Sequence, residues 1–176
     1  GYSVFSTVFS VEWQDRKLNF IDCPGSDDFV GGAVSALNVT DTALMVLNAQ
    51  YGVEVGTINQ FRYTEQFHKP VIFVVNQLDN DKADYEGTIA QLKDRWGSKI
   101  VPIQYPISCG SSFNAVVDVL KMKMYRWKPE GGVPDVLEIP AEEMDKAMEL
   151  HQALVEAAAE NDDTLMEKFF EEGALS

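Results

Sequence analysis

Two short apolar runs constrain this chain most: residues 43–47 (A-L-M-V-L) and residues 71–75 (V-I-F-V-V). Neither alternates with polar residues, and both are short, so each reads as a strand covered on both faces, as in a parallel sheet. Residues 58–67 lie between them with helical spacing. Residues 85–96 follow with the same spacing, and Gly97 is the natural stop. Strands alternating with helices imply right-handed βαβ units and a mostly parallel sheet. Upstream, residues 3–13 (S-V-F-S-T-V-F-S-V-E-W) alternate with the period of a half-buried strand. Asp15-Arg16-Lys17 then reads as a turn and residues 18–21 as a second strand, which makes a hairpin. Cys23-Pro24-Gly25 breaks that strand, and residues 29–37 have helix-compatible spacing weakened by Gly31-Gly32. A doubly wound α/β class follows from residues 16–96 alone.

Beyond Gly97 the pattern becomes α+β. Residues 100–107 read as a strand interrupted by Pro102 and Pro106, residues 113–120 as a short helix, and residues 122–127 as a strand. Glu130-Gly131-Gly132 marks a turn, and residues 136–139 a short strand. Pro140 opens a long helix to about residue 159, with Glu142 and Glu143 in the first turn, where the helix dipole favours acids. Asn161-Asp162-Asp163 would cap a last helix through Phe170.

A chain of 176 residues suits one domain with an appendage, and 45% apolar and 11% aromatic residues supply a core that a disordered chain lacks. No apolar run reaches the roughly 18 residues of a membrane helix. The opening Gly1-Tyr2-Ser3 has no basic stretch, so secretion is not indicated. Two cysteines, Cys23 and Cys109, exclude a disulfide framework and suit a reducing compartment. His68 and His151 lack other ligands at metal spacing, and Trp13, Trp96 and Trp127 read as packing residues. The net charge of −14 argues against gripping a phosphate backbone by general attraction. It is unevenly spread: residues 1–128 carry a net −2, and residues 129–176 a net −12. The basic cluster Lys121, Lys123, Arg126 and Lys128 reads as solubilising, and the acidic stretch as a solvated helical face or a docking face for a basic partner.

Two segments can carry chemistry. Asp22-Cys23-Pro24-Gly25 directly follows a strand. An acid at the carboxyl end of a sheet strand points into the crevice where such sheets bind ligands, and in nucleotide triphosphatases it serves Mg²⁺. Gly25 would let a backbone N–H approach a γ-phosphate without a Cβ. Asn76-Gln77-Leu78-Asp79 follows the run at 71–75. A carboxylate there can accept from both the ring N–H and the exocyclic amine of guanine, a donor pair adenine lacks. Asn76 can bond the base and brace neighbouring loops. Taken singly, each segment is ordinary turn chemistry. Taken together, they put metal-and-phosphate chemistry and base-reading chemistry on two loops of one sheet.

On these residues the chain resembles the translational GTPases. Phe20-Ile21-Asp22-Cys23-Pro24-Gly25 resembles their D-x-P-G motif, Val74-Val75-Asn76-Gln77-Leu78-Asp79 their N-K-x-D motif, and A-Q-Y-G-V-E at 49–54 their A-x-x-G-V-E. From residue 100 onward, V-P-I-Q-Y-P-I, F-N-A-V-V-D-V, E-I-P and L-V-E-A-A-A-E-N-D-D-T-L-M-E-K-F resemble the subdomain inserted into the GTPase domain of elongation factor G. The resemblance implies a P-loop-GTPase-like α/β fold, a mostly parallel sheet with helices on both faces, over residues 1–96. It implies an α+β inserted subdomain over residues 97–172. It also implies a truncated unit, since no G-x-x-x-x-G-K-[ST] loop precedes D-x-P-G and the last guanine-loop motif does not follow.

In the full-length protein, the resemblance assigns Ser3 and Asp22 to Mg²⁺, Gly25 to the γ-phosphate, and Asn76, Gln77 and Asp79 to the guanine of GTP or GDP. Residues 1–176 alone are expected to bind no nucleotide and to be inactive. Ser26 occupies the position of the family's water-positioning histidine, and Gln77 that of its lysine; both departures imply weaker hydrolysis or binding. The implied partners are the ribosome in translocation and its stalk protein, met by Glu142, Glu143, Asp145 and Glu149, in the cytoplasm. The truncated sheet implies self-association. The alternatives are a nucleotide-independent docking module and a ribosome-protecting relative.

Overall fold

Strand β1 (Thr7–Trp13) and strand β2 (Arg16–Asp22) form an antiparallel hairpin, with Thr7 opposite Asp22 and Trp13 opposite Arg16. Its turn is Gln14-Asp15, earlier than the sequence suggests, with φ of 46° and 58°. Two left-handed residues give the hairpin turn whose twist matches that of the strands. Arg16 and Lys17, expected in the turn, instead sit in the ladder opposite Trp13 and Glu12. Phe9 and Phe20, opposite one another, stack with ring centroids 5.2 Å apart. Trp13, expected to pack, is 65% exposed. These features belong to a computed structural model that describes residues 3–159; the expected helix over 161–170 lies outside the described residues.

A short 3₁₀ turn (Asp27–Phe29) leads into helix α1 (Val30–Val39). The glycine at 32 has a packing reason: a Cβ there would come within 2.6 Å of the Ser6 Oγ and 3.5 Å of the Pro24 Cδ. Close approach of α1 to Ser6 therefore offsets the helix propensity that glycine costs, with Pro24 at ordinary van der Waals distance. Strands β3 (Ala43–Asn48) and β4 (Val71–Asn76) are parallel and in register from Ala43 opposite Val71 to Asn48 opposite Asn76. The crossover between them carries α2 (Val55–Gln66), whose Phe61 stacks on Phe73 of β4 at 5.9 Å. Leu37, Leu47 and Ala49 are buried, as is Thr64, whose hydroxyl donates to the Phe61 carbonyl at 2.7 Å.

The hairpin and the parallel pair are separate two-stranded ladders, with no hydrogen-bonded rung between β2 and β3 among the described residues. The two runs expected to be covered on both faces are only partly covered: Leu44 is 53% exposed and Val46 60% in the first, and Ile72 46% in the second. An apolar run reports what a strand is suited to lie against, and here one face and one edge of β3 lack that cover among the described residues.

The chain divides by internal contacts into Gly1–Asn76 and Gln77–Ser176. In the second unit, α3 (Tyr85–Trp96) is capped by Asp84, whose carboxylate accepts from the Gly87 N–H at 2.8 Å, and ends at Gly97 with φ of 70°. Strands β5 (Gln104–Pro106), β6 (Ala115–Asp118), β7 (Lys123–Arg126) and β8 (Asp135–Leu137) make an antiparallel sheet in chain order. Helix α4 (Ala141–Ala159) follows. The short helix expected over residues 113–120 is absent, and its centre is strand β6. Phe113, Val116, Val117 and Leu120 mimic helical spacing, but the β-branched valines favour the strand. The buried Asp118 ends β6, its Oδ1 accepting from the Lys121 N–H at 2.8 Å. The expected strand over 100–107 shortens to Gln104–Pro106.

Tyr85, Leu92, Tyr105, Val117, Val119 and Met124 form the core of this unit. The Tyr85 hydroxyl donates to the Gln104 carbonyl at 2.9 Å, and the Tyr105 hydroxyl to the Glu143 carbonyl at 3.3 Å. Both phenols are held well above the ordinary tyrosine range, first by burial, then by Glu86 near Tyr85 and Glu143 near Tyr105. Lys146 of α4 pairs with Glu86 of α3 at 2.7 Å, and its ammonium lies 4.5 Å from the centroid of the Tyr105 ring.

Candidate functional site

The D-C-P-G segment begins at the last residue of β2. Asp22 is exposed, and its carboxylate makes no hydrogen bond or ion pair with the described residues. Cys23 turns inward, its thiol lying 3.7 Å from the Ile21 carbonyl and 3.8 Å from that of Gly32, and Pro24 is buried. The segment is thus anchored at 23–24 and open on either side. Gly25 is exposed, and a Cβ there would meet nothing within 4 Å. The chain itself therefore gives no steric reason for glycine at 25.

Ser26 precedes the 3₁₀ turn in extended conformation, and its side chain caps nothing. Its carbonyl accepts from the Phe29 N–H at 3.0 Å. Asp27 accepts from the Asn59 amide of α2 at 2.8 Å, which ties this turn to the crossover helix. Sequence reasoning missed this bond, and neither residue carries a local signal for it. An open groove of 420 Å³ lies here, lined by Asp27, Val30, Asn59, Arg62, Tyr63 and Gln66; none of the sequence-predicted site residues lines it. Ser3 is exposed in irregular backbone ahead of β1.

Asn76 is the last residue of β4 and is exposed. Its carbonyl accepts from the Ala49 N–H at 2.9 Å, and it is the Cα partner of Asn48. Asn48 in turn accepts from the Gln50 N–H through its side chain at 2.8 Å. The first residues of the A-Q-Y-G-V-E segment are therefore tied directly to the end of β4. That segment turns at Gly52, with φ of 64°, and leads into α2, where the Thr57 hydroxyl accepts from the Glu54 N–H at 3.4 Å.

In the second unit the loop continues through Gln77, a non-glycine residue at φ of 60°. The Asn80 N–H donates to the Gln77 carbonyl at 3.1 Å, and the Lys82 N–H to the Asn80 side chain at 2.9 Å. Asp79 is carried on the outside of this turn, exposed, with its carboxylate unengaged among the described residues. The turn is also held from a distance: Gly110 donates to the Leu78 carbonyl at 2.8 Å, and the Ser111 N–H to Asp81 Oδ1 at 3.2 Å. Sequence reasoning missed Asp81 and Gly110 as well. The run D-N-D-K-A-D announces a turn, but no local pattern announces a partner 30 residues away.

Chemically, Asp22 and Asp79 are two water-accessible carboxylates on strand-end loops, with acceptor capacity to spare. No three His, Cys, Asp or Glu side chains gather into a metal cage among the described residues. Mg²⁺ does not require one, because it commonly takes one or two protein oxygens together with phosphate oxygens and water. The open carboxylate of Asp22 and the hydroxyl of Ser3 are donors of that kind. No helix among the described residues is long and apolar enough to cross a membrane.

Comparison with known proteins gives the family. Residues 1–169 match the family described as the elongation factor Tu GTP binding domain. The chain is 33% identical over 172 residues to an elongation factor G-like protein of Thermotoga maritima, covering 97% of this chain and 24% of that protein. It superimposes on a crystal structure of a Thermus thermophilus protein with a TM-score of 0.88 and 31% identity, over 99% of this chain and 26% of that one. The chain spans about a quarter of the length of these relatives. With its D-x-P-G and N-x-x-D segments at strand ends of a P-loop-GTPase-like α/β fold, the chain belongs to the translational GTPases of the elongation factor G type.

Proposed function

We propose that the chain is the part of a divergent elongation factor G-like protein that reads guanine and serves the magnesium and γ-phosphate of GTP. The observation that carries this reading is the pair of exposed, unengaged carboxylates, Asp22 after β2 and Asp79 after β4, in a chain of this family. In this reading Asp79 accepts from the two donors on the guanine edge, Asn76 and Gln77 flank the base, and Gly25 offers its N–H to the γ-phosphate. Asp22 and Ser3 would hold Mg²⁺, which when bound neutralises phosphate charge. The proposed process is translocation on the ribosome, in the cytoplasm. Glu142, Glu143, Asp145 and Glu149 at the start of α4 would meet a basic surface of the ribosomal stalk protein, adding to association rate more than to affinity. The inserted subdomain would run over residues 97–172.

Ser26 sets the level of activity. Its side chain is short and held by nothing among the described residues, so it cannot orient an attacking water as an imidazole would. Hydrolysis by the full-length protein is therefore slow. Ribosome-stimulated GTP turnover should rise about 100-fold or more in a Ser26→His variant, the usual scale for a positioned catalytic side chain. Wild-type turnover equal to that of the variant would overturn the low-activity reading. Failure of the full-length protein to bind GDP would overturn the nucleotide reading itself.

A further inference from the structure

The turn that carries Asp79 is held by bonds of its own and also from outside. Gln77 sits in the left-handed region, where a side chain is strained, and such residues persist only where their surroundings over-determine them. The turn meets residues 108–112, in the loop joining β5 to β6, at Leu78 and Asp81. That loop is closed on itself: the Ser108 hydroxyl donates to the Ser112 carbonyl at 3.0 Å, and the Phe113 N–H to the Gly110 carbonyl at 2.9 Å. It offers two successive backbone donors outward, Gly110 N–H to the Leu78 carbonyl at 2.8 Å and Ser111 N–H to Asp81 Oδ1 at 3.2 Å. These two bonds bracket Asp79 on its two sides in the chain. Gly110 has φ of 76°, and a Cβ there would lie 3.4 Å from Asp81 Oδ1 and 3.6 Å from the Asp81 Cα. Glycine is thus favoured at 110 by conformation, while a Cβ would meet Asp81 at ordinary van der Waals distance.

We infer that the 108–112 loop is a brace that fixes the base-reading turn, with Asp81 as a positioning residue for Asp79. The inference rests on the guanine reading proposed above. It gives the β5–β6 sheet a direct mechanical hold on nucleotide selectivity: whatever displaces that sheet loosens the turn. Asp81 contacts no base in this account, so its loss acts through the aim of Asp79.

The test uses the full-length protein, with GDP and inosine diphosphate as probes, because inosine lacks the exocyclic amine that Asp79 reads. Wild type should bind GDP more tightly than the inosine nucleotide. Asp81→Ala should weaken GDP about five- to tenfold, the scale of one ordinary hydrogen bond lost indirectly, and narrow the GDP-to-inosine ratio. Asp81→Asn keeps an acceptor oxygen at Oδ1 and should restore most of the ratio. Hydrogen exchange at the amides of Gly110 and Ser111 should quicken in Asp81→Ala without nucleotide, while Leu92 and Val117 in the core stay protected. Wild type that binds GDP, with an Asp81→Ala variant unchanged in ratio and in exchange, overturns the brace alone. Wild type that binds neither nucleotide overturns the guanine reading and the brace with it. A variant that loses GDP and inosine nucleotide equally, with core protection lost, shows a merely structural role and also overturns the brace.

Discussion

At the scale of single residues, the proposed chemistry rests on carboxylates that the fold leaves unengaged. Asp79 is the sharpest case in that proposal, because two donors on guanine need one acceptor group between them. Asp79→Asn should weaken GDP binding by about 100-fold or more, as expected when two hydrogen bonds to a charge are spoiled. It should favour xanthosine nucleotides, whose ring carries an oxygen where guanine has the amine; fluorescent-nucleotide titration of the full-length protein measures both. The buried phenols give a second expectation. In the folded protein Tyr85 and Tyr105 keep their protons above pH 10, while in the unfolded chain they lose them near that pH. The unfolded state thus binds fewer protons there, and stability falls as pH rises. Urea midpoints should be level up to about pH 9.5 and decline above it, and Tyr105→Phe should soften the decline.

At the scale of elements, Lys146 joins α4 to α3 and β5 through Glu86 and the Tyr105 ring. The ion pair is exposed and adds little, so most of the effect lies in the cation–π contact. Lys146→Ala should cost about 1 kcal/mol in chemical unfolding. The hairpin turn offers the opposite change: Gln14-Asp15→Asn-Gly suits two left-handed positions better and should raise stability by about 0.5–1 kcal/mol. The elements most legible in the sequence are those fixed by their own side chains. The bounds of α3 follow from its spacing and Gly97, and β3 and β4 from their unbroken apolar runs. Residues 113–120 mislead because Phe113, Val116, Val117 and Leu120 satisfy a helical spacing while their β-branched members prefer a strand. The hairpin turn reads late because Gln14, an unusual left-handed residue, announces nothing. At the candidate site, Asp22 and Asp79 are legible from motif chemistry. The Asp27–Asn59 and Asp81–Ser111 bonds are not, since each joins residues about 30 apart by a contact that only the folded chain creates.

At the scale of the whole molecule, charge asymmetry and exposed apolar side chains set the expectations. Residues 129–176 carry a net charge of −12 and residues 1–128 only −2. Among the described residues, Val8, Trp13, Leu44 and Val46 are each more than half exposed. Residues 1–176 on their own should self-associate through exposed apolar strand positions of this kind. Sedimentation velocity should show species larger than monomer that dissociate on dilution, and a strict monomer at high concentration would refute the expectation. Calorimetry on the same chain should register no micromolar affinity for GTP, since no glycine-rich phosphate cradle with its lysine occurs in it.

The rung that closes the parallel pair has a further consequence. Asn48 and Asn76 terminate their strands side by side, and the Ala49 amide is fastened to the Asn76 carbonyl. The entry to α2 is thus fastened to the last rung of the ladder. A one-residue insertion or deletion in either strand would break that rung, so the lengths of β3 and β4 should tolerate less change than any side chain along them.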